Sequence, residues 1–343
     1  GLQLAYMEDE IARKLGIDTR RAGPMPMAWK HWSFPGGVEG LIDSTLRVIE
    51  RNDGTQEVQQ PSGAIWFLPP DGWFFNVREE SRPLRSAQTP GEIEQFFRNL
   101  PLPTPEQNEQ ITKRVQSLRG GKPVALVGVF PSATFEAWTH RGYELFLMDF
   151  LAQPEMAEAL MRCSAEYAVA RWSPVLKEIG SELDVIFTAD DLASQNGLLI
   201  SEAHFRRHIK PVQSWLWGEL RRLAPNAKLL YHSCGAVEPL IDDFIQMGAD
   251  ALNPIQTKAT GMDAATLKQK YGDRIVFWGG GIDSQGLLHH GSPDQVKENV
   301  HRQVEILAPG GGFVFAPVGE IQPATPVENV MAMLEAVQEF GQY

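Results

Sequence analysis

Cysteine is scarce, with only Cys163 and Cys234 in a chain of 343 residues. Two thiols cannot staple a chain of this length, so a hydrophobic core must hold the fold, and reduced thiols in a cytoplasmic setting are expected. Positive charge is also in short supply. Thirty-one Lys and Arg face 43 Asp and Glu, a formal net charge of −12, and no basic run offsets it. That balance excludes an electrostatic footprint for nucleic acid or an anionic membrane surface. No secretory leader pattern occurs, and no apolar run is long enough to span a bilayer. A phosphate-binding fingerprint is missing too. The Gly-rich turns at 279–281 and 310–312 do not form Gly-x-Gly-x-x-Gly at the start of a helix, and no Lys-Ser/Thr follows them. The sequence shows no internal repeat or low-complexity tract, which leaves a small molecule or another protein as the partner.

Aromatic residues are plentiful. Of nine Trp and seventeen Phe, Trp29, Trp32, Trp66, Phe67, Trp73, Phe74 and Phe75 fall in the first quarter, where they line an apolar pocket or pack as a barrel floor or dimer patch. Up to about residue 120 the chain reads as irregular. From Pro123 onward, strand-length apolar runs recur at Val124–Phe130, Asp184–Ala189, Lys228–His232, Asp250–Asn253, Ile275–Trp278 and Phe313–Ala316, separated by segments of helical spacing. Continuous apolar runs of this kind indicate parallel strands wrapped by helices. The expected fold is a (β/α)8 TIM barrel forming one domain over 1–343, with 1–120 as N-terminal elaboration and early barrel elements. Thr89, Ser292 and Thr325 each precede Pro and stand three residues before Glu or Gln, predicting capped helix starts. Helices are also predicted between Ala157 and Val175 and from Ser201 to Leu223, the latter burying Phe205, Ile209, Val212, Trp215, Leu216 and Leu220.

The polar residues that follow each run carry the functional signal. In a barrel these loops share the C-terminal mouth, where such folds assemble their sites. Asp190, Asp191 and Gln195 follow one run; His232 and Cys234 another; Asn253 and Gln256 a third; Trp278 ends a fourth; and Glu320 follows the last. His232 and Cys234, two apart at a strand end, point to one side, and imidazole with thiolate is a favourable start for zinc. The alternative is a Cys packed as a small hydrophobe beside a backbone-bonded His. Glu320, Asp191 and Asp190 are the candidates to complete a metal set. The adjacent carboxylates Asp190 and Asp191 read either as a general acid with a substrate anchor, or as a helix cap with a solvated neighbour. His289-His290 reads as a solvated loop before Ser292.

The segments Asp190–Gln195, His232-Ser233-Cys234-Gly235, Asn253-Pro254-Ile255-Gln256, Trp278–Asp283, Ala308–Phe313 and Ile321–Asn329 together resemble the uroporphyrinogen decarboxylase superfamily across about 120–340. The resemblance implies a TIM barrel, usually a homodimer, with its site at the C-terminal mouth. One branch, the true decarboxylases, carries an N-terminal Arg-rich segment that grips propionates and a histidine in the last βα loop. Here Trp29-Lys30-His31-Trp32-Ser33-Phe34 stands in the first place and Gly319 in the second. The other branch transfers methyl groups among a small substrate, a corrinoid protein and a thiol or folate. Its thiol-activating members add a later Cys to the His-x-Cys pair, and that Cys also falls at Gly319. The implied function is a corrinoid-dependent methyltransferase demethylating a methoxy-aromatic or methylamine-like substrate onto a Co(I) corrinoid protein. A carboxy-lyase acting on a small acid is the alternative. The implied catalytic residues are Asp191, Glu320 and His232. Asp190, Gln195, Asn253, Gln256, Trp278 and Trp73 are the implied substrate contacts, and His232, Cys234 and Glu320 the implied zinc ligands.

Overall fold

The computed structural model describes residues 9–23, 28–60, 62–72, 75–119, 123–284, 286–322 and 324–341. Among the described residues thirteen strands run in chain order: β1 (Thr19–Ala22), β2 (Trp29–Phe34), β3 (Val38–Asp43), β4 (Val48–Glu50), β5 (Gln56–Gln59), β6 (Ile65–Leu68), β7 (Asn76–Val77), β8 (Ala125–Pro131), β9 (Val185–Ala189), β10 (Lys228–His232), β11 (Ala251–Asn253), β12 (Val276–Trp278) and β13 (Phe313–Val314). The chain packs as two compact units, one of residues 1–126 and 133–179, the other of 127–132 and 180–343.

In the first unit the segment expected to be irregular is ordered. β2 and β3 form an antiparallel hairpin, and β4 to β7 form an antiparallel meander. These strands escape a hydropathy reading because they are two to six residues long and partly polar. Glu57 on β5 is buried, yet its carboxylate receives Arg78 Nε at 2.6 Å and the Arg51 guanidinium, so its charge is matched. Trp32 Nε1 donates to Gln56 Oε1 at 2.9 Å. In the same unit Arg141 and Asp149 form a bidentate pair with both side chains 4% exposed, and Arg141 Nη1 also donates to the carbonyls of Leu84 and Ala87. The predicted helix between Ala157 and Val175 is present as Pro154–Ile179.

The second unit is built on parallel strands whose spatial order equals their sequence order, β8-β9-β10-β11-β12-β13. Within the first unit, Ala125 N at the start of β8 donates to Asp18 O beside β1 at 2.7 Å. A doubly wound sheet would reverse its order at a switch point. No reversal occurs, and the fold is TIM-barrel-like. Alternation sorts the strand residues into two faces. On one face Leu126, Ile186, Leu229, Tyr231, Leu252 and Phe277 are buried beneath the helices, with Tyr231 edge-on to Trp217 and Phe244 at 4.8 Å each. The opposite face carries Val127, Val185, Phe187, Leu230, Ala251, Val276 and Trp278, several only half-buried. The expectation of full cover on both faces therefore holds for one face alone.

The capping boxes at Thr89 and Ser292 form as expected. The third differs. Pro326 stands at the N-cap of Val327–Phe340, and the Thr325 hydroxyl lies 3.2 Å from His289 Nδ1. His289-His290 is accordingly not a free loop; it closes the short helix Leu287–His290, with His289 half-buried. The Ser201–Leu223 segment is helical but carries a π turn at Phe205–Ile209. Its buried stripe passes through Gln213 and Trp217, leaving Trp215 46% exposed. A five-residue turn advances the phase by about one residue, and a buried Gln is not scored by an apolar count.

Candidate active site

The site forms where β9 and β10 end. Counting by two from the half-exposed face of β9 (Val185, Phe187, Ala189) reaches Asp191; counting on β10 (Leu230, His232) reaches Cys234. Cross-strand register aligns His232 with Ala189. Two loops must then close on one another, and hydrogen bonds from the backbone do this. Leu192 N donates to Ser233 Oγ at 3.2 Å and Ala236 N to Ser194 O at 2.9 Å. Gly235 sits between them at φ +86°, and a Cβ there would lie 2.5 Å from Ser194 O and 2.6 Å from Ala193 O. Only glycine permits this approach. As a result one donor atom each from Asp191, His232 and Cys234 lies within 4.8 Å of the other two.

The His232 ring is oriented from behind. Asn253 Nδ2 donates to the Trp278 carbonyl at 2.9 Å, which turns Asn253 Oδ1 toward His232 Nδ1 at 2.6 Å. Because Oδ1 can only accept, Nδ1 carries the proton and the Nε2 lone pair is free to bind. That atom is 3.4 Å from Cys234 Sγ, and the ring lies 5.8 Å from Phe187. Burial pushes the Cys234 thiol up to about 12, reinforced by the negative charges of Asp191 and Glu320 and by a hydrogen bond to Asp191. The fit to zinc is good. Tetrahedral zinc with sulfur at about 2.3 Å and nitrogen at about 2.0–2.1 Å sets its S and N ligands about 3.5 Å apart. Asp191, His232 and Cys234 would hold the ion through O, N and S, and a dication there would favour the thiolate against the burial and the two negative charges that keep the thiol protonated.

Asp191 therefore occupies the place expected of Glu320. Glu320 is exposed and lies outside the three-residue cluster, although its charge reaches Cys234. Asp190 follows the other parity and faces the helices. It is 2% exposed, with Tyr231 Oη donating to one carboxylate oxygen at 2.7 Å and the Ser132 hydroxyl to the other. Burial, then the Asp190 charge, raises the Tyr231 phenol far above its ordinary value, so it stays a donor. Gln195 and Gln256 are brought together. Gln256 Oε1 accepts Gln195 Nε2 at 2.9 Å and Gly235 N at 2.6 Å, binding the loops after β9, β10 and β11. Asn253 and Trp278 lie on the half-exposed face, acting on His232 as described. Trp73 lies outside the described residues. Motif spacing gave no sign of Ser132, Tyr231 or the orienting role of Asn253, although strand parity is enough to separate Asp190 from Asp191.

The sequence pattern of the uroporphyrinogen decarboxylase (URO-D) family matches residues 94–340. The chain belongs to this family. Within the URO-D family it is 29% identical over 197 residues to the methylcobamide:CoM methyltransferase MtaA of Methanosarcina barkeri, covering 57% of this chain and 52% of that protein. It is 31% identical over 122 residues to the uroporphyrinogen decarboxylase of Coxiella burnetii, covering 34% of this chain and 33% of the relative. The chain thus spans about half the length of the first of these curated relatives and a third of the second. A methyltransferase from Methanosarcina mazei shares the fold with TM-score 0.57 and 22% identity, covering 78% of this chain and 73% of that one.

Proposed function

We propose that this URO-D family member is a zinc-dependent methyltransferase that takes the methyl group of a small methoxy-aromatic compound and passes it to the Co(I) corrinoid of a partner protein. The observation that carries this reading is the Asp191, His232 and Cys234 cluster beside the half-exposed rings of Phe187 and Trp278. A zinc ion bound there would supply Lewis acidity to an ether oxygen, easing departure of a phenolate. The protein's own contribution is positional. Asn253 holds the imidazole in its binding tautomer, Gly235 lets the thiol approach Asp191, and the aromatic wall seats the ring so that the methyl carbon faces the mouth. Glu320, exposed at the same mouth and charged beside Cys234, is read as a rim group rather than the proton donor, and solvent at the open mouth protonates the released phenolate. We read Asp190 as support for this loop rather than as a substrate contact. The methyltransferase names of two relatives agree with the reading; the family resemblance supports a homodimer, and a cytoplasmic setting and one barrel domain over 1–343 are carried as parts of the proposal.

Of the carboxy-lyase alternative, only the form acting on a substrate with several carboxylates is disfavoured by charge; one acting on a small acid is separated from methyl transfer by the assay below. In the loops after β9 to β13 the one Lys or Arg is Lys258, too few for several carboxylates. The decisive assay combines metal analysis with methyl transfer. Purified protein is expected to hold one zinc and to convert Co(I) to methylcobalamin with a methoxy-aromatic, whereas His232→Ala, Cys234→Ser and Asp191→Asn lose both. Full metal and activity in His232→Ala would overturn the proposal.

A further inference from the structure

A small opening in the second unit is lined by Gln195, Gln256, Thr257, Lys258, Asp283 and Val318. These residues come from the loops after β9, β11, β12 and β13, and the β10 loop reaches the same place through Gly235 N on Gln256 Oε1. The opening is therefore part of the mouth, one residue along the chain from Cys234.

Lys258 stands apart from the other lysines of this unit. Lys210 reaches Asp243, Lys228 reaches Asp250, Lys268 the Gly311 carbonyl, Lys270 reaches Glu238 and Lys297 reaches Glu335. Lys258 is exposed and has no ion pair or hydrogen-bond partner among the described residues. It is also the one Lys or Arg on the loops after β9 to β13, where Asp191, Asp283 and Glu320 repel anions. An ammonium without a partner in an opening whose one other charged lining residue is Asp283 suits one negative group and no more.

We propose that Lys258 is a specificity residue that pairs with a carboxylate on the small aromatic substrate, at the end of the ring remote from the methyl being transferred. The inference rests on the proposed function for the identity of the ring, and deepens it to a methoxy-aromatic acid. Gln195 and Gln256, already tied to each other, frame the anion without adding charge.

Calorimetric binding of 4-methoxybenzoate, its neutral twin 4-methoxybenzyl alcohol and 4-methoxybenzenesulfonate tests this without requiring turnover. Wild type is expected to bind the carboxylate roughly tenfold more tightly than the alcohol, the range of a hydrogen bond to a charged group. Lys258→Met is expected to erase that preference while leaving alcohol binding unchanged, and Lys258→Arg to retain most of it. Equal binding of acid and alcohol by wild type, or equal weakening of both in Lys258→Met, would overturn the proposal. Tighter binding of the sulfonate than the carboxylate would overturn its substrate class. Separate methyl-transfer assays with the acid report on the parent reading: charge-selective binding that depends on Lys258 but yields no methylcobalamin would defeat the proposed reaction and leave Lys258 as an anion site.

Discussion

Replacing Asn253 by alanine removes the group that holds the proposed zinc ligand His232 from behind, and is expected to weaken zinc binding about 10- to 100-fold. The reasoning is geometric. Asn253 Oδ1 accepts His232 Nδ1–H at 2.6 Å, and its Nδ2 is held by the Trp278 carbonyl at 2.9 Å. Without it, the ring can rotate, and the proton can move to Nε2, the atom that faces Cys234 Sγ at 3.4 Å. Loss of an outer partner of a metal-bound histidine typically costs roughly 10- to 100-fold in affinity, about 1.4–2.7 kcal/mol. Competition against a chromophoric chelator measures this directly, and urea unfolding of the metal-free protein separates it from a general loss of stability. Asn253→Asp keeps an acceptor for Nδ1 and is expected to bind zinc within a few-fold of wild type. Unchanged zinc affinity in Asn253→Ala, with His232→Ala strongly impaired, would refute the tautomer argument.

Four further outcomes follow from the structure. In metal-free protein the Cys234 thiol, pushed to about 12 from an ordinary 9.0, is expected to alkylate about a thousandfold more slowly than a free thiol at neutral pH, given the ratio of thiolate fractions. Since its folded-state value is raised, the associated stability is present below pH 9 and lost as pH climbs from 9 toward 12, which alkaline unfolding curves would show. A Cys234→Ser protein with the same alkaline loss would count against it. Gly235→Ala must hold a side chain at φ +86° with a Cβ 2.5 Å from Ser194 O, and an expected loss of about 2–4 kcal/mol with weakened zinc binding is checked by urea denaturation and metal titration. Arg141→Ala strands the buried Asp149 carboxylate and several carbonyls, for an expected loss of about 3–5 kcal/mol measured by the same denaturation.

Much of the architecture was legible because parallel strands buried beneath helices write themselves as apolar runs. β10 begins and ends where its run does, and β9, β11 and β12 differ by one residue at their starts. The antiparallel strands before residue 80 were not legible. They are short, and β5 buries Gln56 and Glu57, whose amide and charge are satisfied by Ser33 O, Arg51 and Arg78 across the sequence. No local pattern encodes such partners. Trp215 was misplaced for a related reason, since the π turn before it changes the helix phase.

The candidate site divides along the same line. The strand ends, the His232 and Cys234 pair on one side of β10 and the single Lys or Arg of the loops after β9 to β13 could all be read from the chain. Those are consequences of alternation, residue type and count, and each is local. Folding settled the rest: Asp191 rather than Glu320 joins the pair, Asp190 turns away to Tyr231 and Ser132, and Asn253 orients the imidazole. Each of these depends on register between strands and on which loops close over one another, and such distances between residues far apart along the chain are not written in its linear order.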